Sequence, residues 1–385
     1  MTIRFAVVGV QGYSRTHLRG VHMLTEQGRG KLSASMMIDK ADHPDIVAEL
    51  QERGVQVFDD YRTMLDACQG QVDIVTLPVP IHLHAPMSIA ALQAGYHVLV
   101  EKPVTGASLA LVDDMIAARD AHNRHCAVGF QALYSPIFQT LKHTIAAGKL
   151  GKVQRIHGMA LWPRDPSYYA RNNWAGKLYC DGQPVFDSPF NNAVAHQIMN
   201  LLFLASPNPG QAASVEQVEA ELFRAYEIDS FDTGCLRART DSGVDIYFAA
   251  THACRTNVNP MIKLEAEKAV VDYGYLRPEA TIAYRDGRVE VIEDSEAPRN
   301  DVFSNLADVL SGQVEKPFCT LEIARTHVAC IDQVHRAAQI AGVPVDLVSE
   351  IEGGQRVING VEEAIQQGFE TGRLFSELGA PFAAV

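Results

Sequence analysis

The chain has 385 residues, 47% apolar and 21% charged, which suits two folded domains and excludes a low-complexity or disordered class. Its formal charge of −13 comes from 46 acidic against 33 basic residues, and with no long Lys/Arg block it offers nucleic-acid phosphate little to bind. Runs such as FAVVGV and DIVTLPV fall far short of the ~20 apolar residues a spanning helix needs, and no signal-peptide pattern opens the chain, so the expectation is a cytoplasmic protein without a membrane partner. The seven cysteines form no CxxC pair and read as reduced core or surface thiols.

From residue 3 to 100 short apolar runs alternate with amphipathic stretches: IRFAVVG, SRTHLRGVHMLTEQG, KLSASMMID, PDIVAELQERG, VQVF, YRTMLDAC, VDIVTLP, HLHAPMSIAALQAG and HVLV. Strands that are apolar on both faces predict a parallel sheet covered by helices on each side, an α/β doubly wound domain. After residue 125 the rhythm changes. SPIFQTLKHTIAAGKLG predicts a helix, and KVQRIHGMALW, VEQVEAELFRAYE, GCLRARTD, GVDIYFAATHAC, MIKLEAEKAVVDY, TIAYRDG and RVEVIED predict strands of one open, largely antiparallel sheet. LEIARTHVACIDQVHRAAQIAG and GQRVINGVEEAIQQGF predict two closing helices. The expected organisation is a Rossmann domain over 1–125 and an α+β substrate-binding and oligomerisation domain over 126–385, with its last helices placed to pack back on the first.

The first strand runs into Gly9, Val10, Gln11, Gly12, Tyr13 and Ser14, where a dinucleotide fold carries GxGxxG. Gly9 stands at the tight turn, Gln11 and Ser14 replace the second and third glycines, and Gly12 is displaced by one. Asp39, at the end of MMID, is placed to accept hydrogen bonds from an adenosine ribose. A carboxylate there favours NAD over NADP, because a 2′-phosphate would meet a like charge; Lys40 beside it keeps NADP open.

In a parallel sheet the ligand crevice lies at the carboxyl ends of the strands. Here such ends carry GVQG, PVPIHLH and EKP. Pro78 and Pro80 stop the fourth strand, with His82 and His84 opening the next helix, and Glu101, Lys102 and Pro103 end the fifth. The HxH pair has neither an HExxH frame nor a suitably spaced carboxylate, so no metal is expected.

VGVQGYSRTH, the PxHxH segment, AGYHVLVEKPVTG and GKLGKVQRIHG together resemble the Gfo/Idh/MocA family of NAD(P)-dependent sugar and polyol oxidoreductases. The resemblance covers the first domain, continues into the second and fades in the C-terminal third. It implies a sugar-sized pocket between two domains, a homodimer or homotetramer through the C-terminal sheet, and Lys102 beside the nicotinamide and the reacting carbon, with Gly9, Gln11, Gly12, Tyr13, Ser14, Asp39, Pro80, His84, Glu101 and Lys102 around the cofactor. It also implies an aspartate and a histidine spaced i, i+4 on one helical face. Here His196 matches the histidine, but Asn192 stands at the acid's position and cannot take up a proton. Lys102 or His196 is then the base and Asn192 orients. Asp187 precedes them at a spacing that does not fit the motif.

The long segment WPRDPSYYARNNWAGKLYCDGQPVFD combines aromatic faces with amide and guanidinium donors, which suits a polyhydroxylated ligand. Its candidate substrate contacts are Arg164, Tyr168, Tyr169, Asn173, Trp174 and Lys177, with His252 at the end of a strand as a further one. Two alternatives remain at this stage: a redox-neutral, NAD-using glycosidase or epimerase, and a non-catalytic nucleotide or sugar sensor.

Overall fold

The computed structural model describes residues 2–275 and 277–384. It divides into two compact units, one comprising residues through Thr105, Leu109–Tyr134 and Glu296–Ala324, the other Gly106–Ser108, Ser135–Ser295 and residues from Arg325 onward.

The first unit begins with β1 (Ile3–Val8), α1 (Ser14–Glu26), β2 (Gly30–Met36), α2 (Pro44–Glu52), β3 (Gln56–Phe58) and α3 (Tyr61–Ala67), then β4 (Ile74–Leu77), α4 (Ile81–Gln93), β5 (His97–Val100), α5 (Leu109–Ala121) and β6 (Cys126–Val128). The strands pair in the order β3-β2-β1-β4-β5-β6, every neighbour parallel. This is the Rossmann order, whose carboxyl edge faces a ligand crevice. β1 and β4 are buried almost throughout, as expected of strands covered on both faces. The expected boundary at residue 125 moves, because β6 pairs with β5 and the 3₁₀ turn Gln131–Tyr134 stays with the sheet.

In the second unit come α6 (Pro136–Ala146), β7 (Val153–Leu161), α7 (Pro166–Ala170), β8 (Tyr179–Cys180), β9 (Gln183–Pro184), a π turn at Pro189–Ala193 and α8 (Ala195–Ala205). β10 (Val215–Arg224), β11 (Thr233–Thr240), β12 (Asp245–Thr251), β13 (Val258–Ala266), β14 (Ala269–Gly274), β15 (Glu279–Tyr284) and β16 (Val289–Glu293) follow. MIKLEAEKAVVDY is therefore a hairpin of two strands, turned at Glu267 and Lys268. α9 (Asp301–Leu310) returns to the first unit, where the Phe303 ring seats against Gly20 of α1 so closely that a Cβ there would stand 2.3 Å from it. Sequence periodicity had not assigned this helix.

The chain closes with α10 (Leu321–Ala337), β17 (Ile340–Gly342), β18 (Val348–Glu350), β19 (Arg356–Ile358) and α11 (Val361–Thr371). Both predicted closing helices are thus shorter than expected: AQIAG leaves the helix to pair Ile340–Gly342 in parallel with β10, and QRVI becomes a strand.

The large sheet runs β16-β15-β14-β13-β7-β12-β11-β10-β17. Its pairings are antiparallel except β7 with β12 and β10 with β17. Phe248 of β12 meets Phe190 of the π turn on one face, while its neighbour Tyr247 packs with Phe369, Phe375 and Phe382 on the other. Successive strand residues point to opposite faces, so α11 and the C-terminal tail cover the side opposite α8. No helix of the described residues is long and apolar enough to cross a membrane, and the seven cysteines are buried and free.

Candidate active site

The glycine turn forms because two positions need left-handed backbone, Gly9 at φ 89° and Gly12 at φ 56°. Gly9 N donates to Met36 O at 2.7 Å, tying the turn to β2, and a Cβ on Gly9 would stand 2.5 Å from Ser14 Oγ. Ser14 Oγ donates to Val8 O at 3.2 Å, so Ser14 braces the turn from inside; Gln11, Gly12 and Tyr13 are exposed. Nothing lies within 4 Å of a Cβ built on Gly12. An open backbone cradle at the N-terminus of a 13-residue helix fits a pyrophosphate.

Asp39 lies three residues beyond β2, heading a short 3₁₀ turn rather than ending the strand. Its Oδ2 stands 3.1 Å from His43 Nε2, which also stands 2.8 Å from Gln11 Nε2. His43, which the sequence pattern does not single out, thus links two expected cofactor-binding residues, Gln11 and Asp39. Lys40 pairs with Asp59 at 2.8 Å, so its charge is already answered and the fit to an unphosphorylated ribose is strengthened.

At the exit of β5, the Glu101 carboxylate is buried and collects donors. Oε1 lies 3.0 Å from His17 Nε2 and accepts from Gln131 Nε2 at 3.1 Å, while Oε2 accepts from Lys102 N at 3.2 Å. A Cβ on Gly129 would stand 2.6 Å from Oε1, so glycine is required where β6 passes the carboxylate. Gln131 also donates to Tyr13 Oη at 2.8 Å, joining the glycine turn to the Glu101 hub. The Lys102–Pro103 peptide is cis. Glu101 therefore anchors the turn that presents Lys102, whose side chain is half-buried.

The expected cofactor role of His84 is corrected. Its ring is buried, with Nδ1 2.6 Å from Pro103 O and Nε2 2.8 Å from Val79 O. Both nitrogens face backbone carbonyls, one at the exit of β4 and one at the exit of β5, so the ring packs between those exits. Burial pulls its pKa down against the pull of those carbonyls. Pro80, half-buried, caps α4 in extended geometry.

The second unit assembles other candidates. Asn192 and His196 do not share one uninterrupted helix: Asn192 lies within the π turn, Val194 breaks the geometry, and His196 falls in the first turn of α8. Asn192 Nδ2 donates to Asp187 Oδ1 at 2.7 Å. Asp187, 3% exposed, also accepts from Gly176 N at 2.7 Å and lies 3.6 Å from Arg171. The carboxylate set aside on spacing therefore sits directly behind the asparagine, because the π turn's extra residue alters the register.

The expected loop between β7 and the π turn contains α7 and the β8–β9 hairpin. The Arg164 guanidinium lies 4.8 Å from the Tyr168 ring centre and 5.4 Å from that of Trp162. Arg171 covers the other partner rings, 3.7 Å from Tyr168 and 5.2 Å from Trp174. Tyr168 packs against Tyr169 and His252 at 5.2 and 5.5 Å, and Tyr169 against Tyr226 at 5.0 Å. Asn173 and Lys177 are exposed and do not join this cluster. His252 Nδ1 stands 2.8 Å from Trp162 O; burial, then Arg164, depress its pKa to about 3. The ring is neutral, Nδ1 donates, and the buried Nε2 presents a lone pair. Burial and then Asp187 push the Tyr168 phenol up, keeping it a hydroxyl donor.

Residues 3–130 match the oxidoreductase family with an NAD-binding Rossmann fold, Gfo/Idh/MocA. The match covers the Rossmann part of the chain. Among curated proteins, the chain is 30% identical to inositol 2-dehydrogenase 4 of Saccharopolyspora erythraea over 40% of this chain and 44% of that one. It is 31% identical to levoglucosan dehydrogenase of Pseudarthrobacter phenanthrenivorans over 32% of each. The matches thus span less than half of these relatives' lengths. The crystal structure of the WlbA dehydrogenase from Bordetella pertussis, in complex with NADH and UDP-GlcNAcA, superposes with a TM-score of 0.70 at 24% identity, covering 88% of this chain and 96% of that one. That likeness extends the shared fold into the second unit.

Proposed function

We propose that the chain is an NAD-dependent oxidoreductase moving hydride between nicotinamide and a carbinol or carbonyl carbon of a sugar, inositol or related polyol. The observation that carries it is the strand-exit pair: an open glycine cradle after β1 and Lys102 after β5, on the same carboxyl edge and within the family match. The curated relatives named above, dehydrogenases of inositol and levoglucosan, support the substrate class.

Gln11, Gly12 and the α1 N-terminus would hold the pyrophosphate, and Asp39 the ribose hydroxyls. Bound nicotinamide supplies the hydride acceptor or donor. Lys102 serves the substrate hydroxyl, as a neutral amine taking its proton or as an ammonium stabilising the alkoxide. His196 is the second proton carrier. Asn192, which cannot ionise, orients. Arg164, Tyr168 and His252 offer donors and a lone pair on aromatic faces, suited to a polyhydroxylated ligand; Tyr169, Trp174, Asn173 and Lys177 are the remaining candidate contacts. Assembly through the large sheet would use β14–β16, since the chain's own α11 and tail pack against β7 and β10–β13.

The test is fluorescence titration with NADH and NADPH, then a polyol and keto-sugar panel with wild type and Lys102→Ala. The expected outcome is tighter NADH binding, NADH formation from at least one polyol, and a roughly 100-fold or larger loss of kcat in Lys102→Ala with NADH binding retained. Failure to bind either nucleotide overturns the reading. Tightly held NAD without net NADH formation would move it to redox-neutral chemistry.

A further inference from the structure

We propose that Asp59 is a specificity residue for the cofactor: by engaging the Lys40 ammonium at the exit of β3, it denies a 2′-phosphate the cation that such a group needs. This rests on the oxidoreductase reading and adds to it a residue outside the glycine turn and the carboxylate after β2.

Ribose hydroxyls are met by a carboxylate that accepts from them, whereas a 2′-phosphate is accommodated by a nearby cation. This chain carries both groups side by side, with Asp39 heading the turn after β2 and Lys40 following it. Asp39 Oδ2 lies 3.1 Å from His43 Nε2, and a carboxylate with about four lone-pair sites still has room for hydroxyl donors. The preference then depends on what holds the ammonium.

β2 and β3 leave the sheet together. Met36 pairs with Phe58 and Met37 N donates to Phe58 O at 2.8 Å, so Asp59, the next residue, emerges beside the turn that bears Lys40. Its Oδ2 stands 2.8 Å from Lys40 Nζ, and that bond holds the Asp59 carboxyl below the usual carboxylate range. The two charges cancel. A 2′-phosphate, with about two negative charges of its own, meets the Asp39 carboxylate and an ammonium already engaged. The Lys40 and Asp59 side chains are 37% and 56% exposed, so their pair adds little to the fold and can be broken without unfolding the chain.

The test compares dissociation constants for NADH and NADPH, read by fluorescence at about 0.15 M ionic strength, where exposed charges more than ~8 Å apart are screened. Wild type, Asp59→Asn, Asp59→Glu, Lys40→Met and the pair Asp59→Asn with Lys40→Met are measured. Displacement of bound NADH by adenosine 2′,5′-bisphosphate and by 5′-AMP assigns each change to the adenosine end. Wild type is expected to bind NADH more tightly than NADPH. Asp59→Asn should lower the ratio of NADPH to NADH constants by roughly fivefold, Asp59→Glu should keep the wild-type ratio, and Asp59→Asn should change it by less than about twofold once Lys40 is Met. Equal affinities in wild type, an unchanged ratio in Asp59→Asn, the same gain in Asp59→Glu, or the same gain with and without Lys40 would each overturn the proposal and leave the oxidoreductase reading standing. Failure of wild type to bind either nucleotide overturns that reading and this proposal with it.

Discussion

The carboxyl edge of the Rossmann sheet and the segment from Trp162 to Asn192 hold functional side chains in different ways. At the sheet edge the strands do the placing: β1 and β5 end, the chain turns at once, and Lys102 leaves the sheet beside a carboxylate buried among His17, Gln131 and its own backbone. In the other region 27 positions, 162 to 188, lie between β7 and the π turn, and the order comes from stacked rings, two arginines and one buried aspartate. Strand exits inherit rigidity from a hydrogen-bonded ladder, whereas a long connection must build its own.

Loosening the support of the second region from a distance should have the largest effect. Lys142 of α6 is buried, and its Nζ donates to Phe203 O, Ser206 O and Gln211 O at 2.5, 2.7 and 2.7 Å. These carbonyls lie at and beyond the C-terminal end of α8, whose first turn bears His196. Lys142→Met, which leaves three carbonyls without this donor, should cost about 1–3 kcal/mol for each one that stays buried, measured as a lowered urea midpoint. A change below about 1 kcal/mol would mean that α8 needs no such clamp.

A smaller effect is expected at the strand exit. Glu101→Gln keeps the shape and removes the charge, so the bonds to His17 and Lys102 N weaken and stability falls by about 1.5–3 kcal/mol, with NADH affinity lowered through the Gln131–Tyr13 link. Stability lost without any change in NADH binding would confine Glu101 to a structural role.

A further probe is pH. Burial holds His252 at about 3 and His97, in the first unit, at about 4, both below the ordinary value near 6.5. The unfolded chain then binds protons that the folded chain refuses, so this stability is fully present above pH 6.5 and is lost as pH falls toward 4 and 3. Each group contributes a slope of up to about 1.4 kcal/mol per pH unit in that window. Thermal midpoints from pH 7 to 4 should flatten in His252→Gln and in His97→Gln; a profile unchanged in both would rule out these rings as the source of acid lability.

Much of the first unit was legible in sequence. Apolar runs bounded by Gly9, Pro78 and the EKP step mark strands and their exits within a few residues, because buried parallel strands write their pattern locally. Asp39 and Ser14 were placed near their true positions, though only the structure turned Ser14 inward and set His43 between Asp39 and Gln11. His84 misled because a histidine beside a crevice reads as a ligand, while its partners, Val79 O and Pro103 O, are backbone atoms that no residue pattern reveals.

The second region was less legible. Aromatic and amide content pointed to Tyr168, Tyr169 and Arg164, but Arg171, Tyr226 and Trp162 complete their packing, and the π turn defeated the i, i+4 rule that placed Asn192 and His196 on one face. By itself the sequence determined the class of fold, the strand exits and the chemistry available at them, since these follow from short-range periodicity and turn residues. Tertiary structure alone decided which carboxylate supports Asn192, that α9 joins the first unit, and that the tail covers one face of the large sheet. Those depend on contacts between segments far apart in the chain, where spacing along the sequence carries no signal.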